Sequence, residues 1–127
     1  MSFSWFYLYS KADFEAAAAK AAEAIAKARL QGDTSTLYTA LSAGGQALIK
    51  LNRSVEVEGV LAEMLEMVSR RKKLVPGDEL MLLELAYSNS IAPESVTQIL
   101  KIVRPFFREP AFIERGDKLA KNLGITE

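Results

Sequence analysis

The residues best spaced for chemistry in this chain are two glutamates, Glu63 and Glu66, three positions apart on an amphipathic stretch. On a helix that spacing sets both carboxylates on one face, where they can offer two oxygen ligands to a cation or act as an acid and a base. The same spacing is that of an ordinary wet helix face, and this plainer role is the expected one. Tyr38, Lys50 and Tyr87 are chemically capable too, and would serve a small-molecule site or a minor enzyme if the fold gathered them in a cavity between helices. Histidine and cysteine are both absent. Thiol nucleophiles, Ser-His-Asp triads, the usual zinc sites and the Glu-x-x-His di-iron pattern therefore cannot be built. Gly44-Gly45 has no strand before it and none of the Gly-Lys-Ser/Thr or Gly-x-Gly-x-x-Gly context of a phosphate loop. The expectation is a protein that is not an enzyme and carries no cofactor, but holds on to something.

Five of the aromatic residues, Phe3, Trp5, Phe6, Tyr7 and Tyr9, fall in the first nine positions. Aromatic side chains combine large apolar area with, in Trp and Tyr, a polar tip, and are enriched where one protein grips another. These five are the candidate partner-binding residues, with packing of the arm over its own domain as the competing role. A basic run, Arg70, Arg71, Lys72 and Lys73, is a second candidate contact, for an acidic partner; a solvated helix end is its plainer reading. Sixteen Lys plus Arg balance sixteen Asp plus Glu, so the chain lacks the excess that drives binding to nucleic acid or anionic lipid. The opening ten residues are too short to span a bilayer and lack the basic start of a secretory signal. The reading is a cytoplasmic protein that is not integral to a membrane, and the absence of cysteine agrees with a reducing compartment.

The elements that must position these residues read as helices throughout. Residues 11–31 are dominated by the best helix formers, with Phe14, Ala18, Ala21, Ile25 and Ala28 along one face. Gly32 supplies a stop and Asp33 an N-cap for a second helix over 34–50, whose stripe is Leu37, Leu41, Gly44, Leu48 and Leu51. Two adjacent glycines inside it, at about 1 kcal/mol each relative to alanine, point to close helix contact or a kink. Ser54 reads as the cap of a third helix over 55–72, turning Val57, Val60, Leu61, Met64, Leu65 and Val68 inward. Asp78 can cap a fourth, Glu79 to Tyr87, which is apolar nearly all round and is expected at the centre of the fold. Pro93 opens a fifth helix with Val96, Ile99, Leu100, Val103, Phe106 and Phe107 on its stripe, and Pro105 should kink or end it. Pro110 opens a sixth, carrying Phe112, Leu119, Ala120 and Leu123, and Gly124 followed by Ile125 closes it.

The stretch SAGGQALIKLNRSVEVEGVLAEML, residues 42–65, resembles a tetratricopeptide repeat, with Gly45, Leu48, Arg53 and Leu61 at that family's small, apolar, turn and large-apolar positions. Leu41 stands where the family often has an aromatic and Asn52 where it often has a turn glycine. The resemblance implies a scaffold that grips a peptide or partner helix in a groove, and carries over no peptide-binding residue. The fold class expected is all-α: about six antiparallel helices forming a compact helical bundle or a TPR-like array of helical hairpins. An aromatic arm, 1–10, precedes a single helical domain, 11–127. The function expected is a protein-protein interaction module, an adaptor, chaperone-like or assembly subunit that binds a partner helix or peptide on an apolar face. A homo-oligomeric structural or regulatory protein is the alternative, the partner then being a second copy of the chain.

Overall fold

Helix propensity alone accounts for the first element, where ten alanines in twenty-one residues form α1, Lys11–Gln31. The computed structural model describes residues 11–70 and 79–125. Within them follow α2 (Thr34–Lys50), α3 (Ser54–Ser69), α4 (Leu80–Ser88), α5 (Pro93–Val103) and α6 (Pro110–Asn122). A single 3₁₀ turn, Arg104–Phe106, leads out of α5. No strand occurs among the described residues, and the helices pack as a compact all-α bundle. None of the described helices is long and apolar enough to cross a membrane.

Local sequence sets the helix ends. Asp33 caps α2 by accepting from the Thr36 amide at 3.1 Å and the Thr36 hydroxyl at 2.6 Å, which satisfies one of the orphan donors of the first turn. Four helices end in the same paired bond, in which the second residue past the cap donates to a carbonyl five residues back. These bonds are Asp33 to Ala28, Arg53 to Leu48, Ile91 to Ala86 and Ile125 to Ala120, at 2.9–3.0 Å. The motif needs a left-handed residue, supplied by Gly32, Asn52, Ser90 and Gly124. Asparagine tolerates this region through its short polar side chain. Ser90 and Ala92, both at positive φ, flank buried Ile91 and hold it in the core at some backbone cost. Ser54 proves to be the first helical residue of α3, with Arg53 at the cap and no side-chain cap bond.

The helix expected at the centre of the fold, α4, packs against α2, α5 and α6. Leu80, Leu82, Leu83 and Ala86 of α4 are buried, but Met81 and Tyr87 on its other side reach solvent. Beside it, α2 packs against α1, α3 and α4 and buries Tyr38, Leu41, Gly44, Gly45, Ala47 and Ile49. Its two glycines explain how. A Cβ on Gly44 would lie 3.1 Å from the Ala21 Cβ of α1; one on Gly45 would meet Leu82 at 2.9 Å and Val60 at 3.4 Å. They are close-contact positions on two sides of α2 rather than a kink. Pro105 ends α5, as its missing N–H requires, and the 3₁₀ turn leaves Phe106 half in solvent while Phe107 enters the core against Gly116 of α6.

Gly59 and Gly45 should respond oppositely to substitution. Gly59 lies inside α3 with open space beside it, so Gly59→Ala is expected to stabilise by about 1 kcal/mol through propensity alone. Gly45→Leu drives a branched side chain into Leu82 and is expected to destabilise by about 2–3 kcal/mol. Urea denaturation of the two variants checks both signs.

Candidate functional site

Small side chains make close contact possible but leave space beside it. Backbone to backbone, α1 approaches α2 alone among the described helices. Their contact runs through Ala21 and Gly44, and Ala28 is the one fully buried residue among positions 13–31 of α1. Methyl groups reach no further than this ridge. On one side a furrow of about 380 Å³ remains over Ile25, Leu48 and Val60. On the other side a groove of about 980 Å³ opens between α1, α2 and α4. This larger groove is the candidate site.

Its walls are distinct. Ala17, Ala21 and Ala24 of α1 face Ala40, Ala43 and Ala47 of α2. Met81 and Leu85 close the far side from α4, and Met81 is 44% exposed. An unbranched thioether at such a place can adapt to the shape of what it meets. Phe14 lines the groove at the first turns of α1, and Lys20 and Lys50 stand at its border. Neither lysine has an ion-pair partner among the described residues. The polar part of the groove's lining is Asp13, Ser35, Thr36, Thr39 and Gln46 together with the two lysines.

The residues singled out by sequence fall elsewhere or lie apart. Glu63 is taken by Arg29 of α1, whose guanidinium donates to both carboxylate oxygens at 2.5 and 2.7 Å. Glu66 pairs instead with Arg70 one turn on, at 2.8 Å, with both side chains exposed. The two carboxylates thus serve separate arginines, and no group of three or more potential metal ligands occurs among the described residues. Tyr38 is buried in the core, where its hydroxyl donates to Glu79 at 3.2 Å. Tyr87 lies at the surface of α4, and of the three chemically capable residues Lys50 alone borders the large groove. Met64 and Met67 are core residues, leaving Met81 as the methionine at the site. Phe3, Trp5, Phe6, Tyr7 and Tyr9 lie outside the described residues, as do Arg71, Lys72 and Lys73.

Sequence reasoning did not find the groove, although its signal was present. Alanines on both facing helices allow approach without filling the flanks, and Ala40, Ala43 and Ala47 repeat at spacings of three and four. Nor did it find what fixes the far wall. Arg115 of α6 donates to Glu84 of α4 through Nε at 3.0 Å and through Nη2 at 2.5 Å, a two-pronged pair that tethers α4 to α6. Its hydrogen bond to Glu84, opposed by partial loss of solvation, raises the guanidinium pKa above its ordinary value. Comparison of the chain with protein-family models, with curated proteins and with solved structures returned no match.

Tyr38 and Glu79 are both about 1% exposed, so the hydroxyl between them should matter to stability. Tyr38→Phe deprives the buried carboxyl of a donor and is expected to cost about 1–3 kcal/mol. The measurement is the loss in unfolding free energy relative to Tyr87→Phe at the surface, which is expected to fall within about 0.5 kcal/mol of the parent chain.

Proposed function

We propose that this chain is a non-enzymatic interaction module whose groove between α1, α2 and α4 receives an apolar helix or peptide segment of another protein. The observation that carries the reading is the groove itself, about 980 Å³ of space backed by alanine methyls and bordered by two lysines that have no ion pair among the described residues. A segment laid there exchanges apolar surface with water for contact with methyls and the Met81 thioether, at roughly 25 cal/mol for each Å² removed from water. The occupant that fits is amphipathic, with small or medium apolar side chains inward and a carboxylate at its border to meet Lys20 or Lys50. Such charges set orientation and partner choice more than affinity. The tetratricopeptide-like pattern over residues 42–65 agrees with a gripping role, since α2 and α3 are joined by a short turn with Asn52 left-handed. A chain without cysteine needs no oxidising compartment, and the proposal sets the module in the cytoplasm.

Self-association is the second reading, supported by Leu30 and Val55, apolar side chains that are 89% and 81% exposed. An exposed apolar side chain is commonplace by itself, so these two weigh less than a groove.

Ala43→Glu tests the first reading. Ala43 is exposed and lines the groove, so the substitution puts a carboxylate where apolar side chains would lie without entering the core. A labelled peptide with a leucine face bordered by glutamates is expected to bind the parent chain and to bind Ala43→Glu at least tenfold more weakly, about 1.4 kcal/mol, at unchanged helicity. Equal binding to both proteins, read by fluorescence anisotropy, would remove the groove from the account. Light scattering decides the second reading, which requires a mass above that of one chain.

A further inference from the structure

With no cysteine in the chain, no thiol competes for a peroxide, and the methionine thioethers are left as its first targets. The described methionines divide sharply. Met64 and Met67 are packed in the core, 0% and 8% exposed, whereas Met81 is 44% exposed on the wall of the groove. The fourth, Met1, lies outside the described residues. We propose that Met81 is a reversible oxidation site, which a peroxide converts to the sulfoxide, turning this stretch of the groove wall from apolar to polar. The consequence, weaker binding of an apolar segment, rests on the reading of the groove as a docking site and adds its regulation.

Position sets both the selectivity and the tolerance. The buried residues of α4 are Leu80, Leu82, Leu83 and Ala86, and Met81 is not among them. An oxygen added to the Met64 sulfur would be an acceptor in the core without a donor, which the fold resists. The same oxygen on Met81 can be met by water, and it leaves the core residues of α4 untouched. The polar contacts that hold α4 are made by Glu79 and Glu84, so they survive the change as well. Oxidation at Met81 thus alters a surface and not the fold.

The step balances with the peroxide alone. A sulfur lone pair attacks one peroxide oxygen, and the O–O bond breaks as the S–O bond forms. The departing hydroxide takes the proton of the transferred oxygen and becomes water. Sulfur loses two electrons and the peroxide gains them. Reversal needs a thiol-dependent sulfoxide reductase, whose two thiols become a disulfide while the oxygen leaves as water. This chain has no thiol, so those electrons come from outside it. A thioether offers an adaptable apolar surface, whereas the sulfoxide is polar and accepts hydrogen bonds. An apolar segment laid over it strips that oxygen of water and returns no donor.

Dilute hydrogen peroxide applied to the folded full-length chain, followed by peptide mapping with mass spectrometry, reads the rate at each methionine separately. Met81 is expected to oxidise about tenfold faster than Met64 and Met67, or more, with the helicity and urea midpoint of the product unchanged. Equal rates at the three, or unfolding of the product oxidised at Met81, would overturn the proposal. Two variants read the consequence. Met81→Leu keeps an apolar wall with no sulfur to oxidise, and Met81→Gln sets a polar amide in its place. Toward the leucine-faced peptide, the oxidised protein and Met81→Gln are expected to bind several-fold more weakly than the parent chain. Met81→Leu is expected to bind as the parent does, before and after peroxide, and sulfoxide reductase with dithiothreitol to restore the oxidised parent. Unchanged affinity after oxidation of the parent, or an equal loss in peroxide-treated Met81→Leu, would remove Met81 as the switch. Should the peptide fail to bind the untreated parent, it is the docking reading that has failed, and selective oxidation of Met81 in the intact fold still establishes the site.

Discussion

How near its neighbours can come to α2 governs the rest of this structure. Gly44 and Gly45 are adjacent, so they point to different sides of the helix, the first toward α1 and the second toward α4 and α3. Replacing either hydrogen with a methyl brings a carbon within about 3 Å of a neighbour. The two glycines weaken α2 as an isolated helix, since each is about 1 kcal/mol poorer than alanine. That loss is offset by packing, because Leu82 and Val60 seat against the bare backbone of Gly45. One pair of residues thus determines both how the core closes and how α1 is attached outside it.

The attachment of α1 is of a different kind from the core. A helix whose contact face is chiefly methyl groups removes little area per residue from water, so its docking yields less than that of α3 or α5, whose faces are valine, leucine and isoleucine. Its persistence owes more to alanine propensity along the helix than to tertiary contact, with the Arg29–Glu63 ion pair as a local addition of modest size. Elements of this sort lie at the low end of local stability in a folded chain. The larger groove has one wall of this lightly held helix, one wall of the rigid α2, and one wall of α4.

Much of this was legible in the sequence where the signal is local. Gly32 with Asp33, Pro93, Pro110 and Gly124 mark ends that depend on one residue's backbone freedom or missing N–H, and α1 and α2 occupy the residues expected of them. The apolar stripes of α3 and α5 were likewise readable, because burial on one face imposes a period of 3.6. Long-range choices were not. Nothing about Glu63 announces Arg29, thirty-four residues away, and Glu84 and Arg115 are thirty-one apart. Ser90 and Ala92 gave no sign of positive φ, since that conformation is imposed by burying Ile91 between them. Phe106 was placed inward by extending the α5 stripe past Pro105, where the 3₁₀ turn changes the period and turns it outward. A groove is the hardest feature to read, because it is space that three separate elements fail to fill.

That space has a fixed shape only if α4 is held, and the means are polar. Tyr38, in the first turns of α2, donates to Glu79 at the start of α4, and both groups are out of water. A buried carboxyl and phenol contribute little net stability compared with an apolar pair of the same size, but they tolerate few relative positions. An α4 shifted along its axis would break the Tyr38–Glu79 bond. Two residues beyond Glu79 stands Met81, and four further Leu85, the two side chains by which α4 lines the groove. Arg115 of α6 grips Glu84, one residue before Leu85, and rests over the ring of Phe112 at 5.8 Å. The helix is therefore held at its start from α2 and at its middle from α6, with Met81 between the two contacts and Leu85 next to the second. Residues outside the groove thus hold the helix that supplies Met81 and Leu85 to its wall.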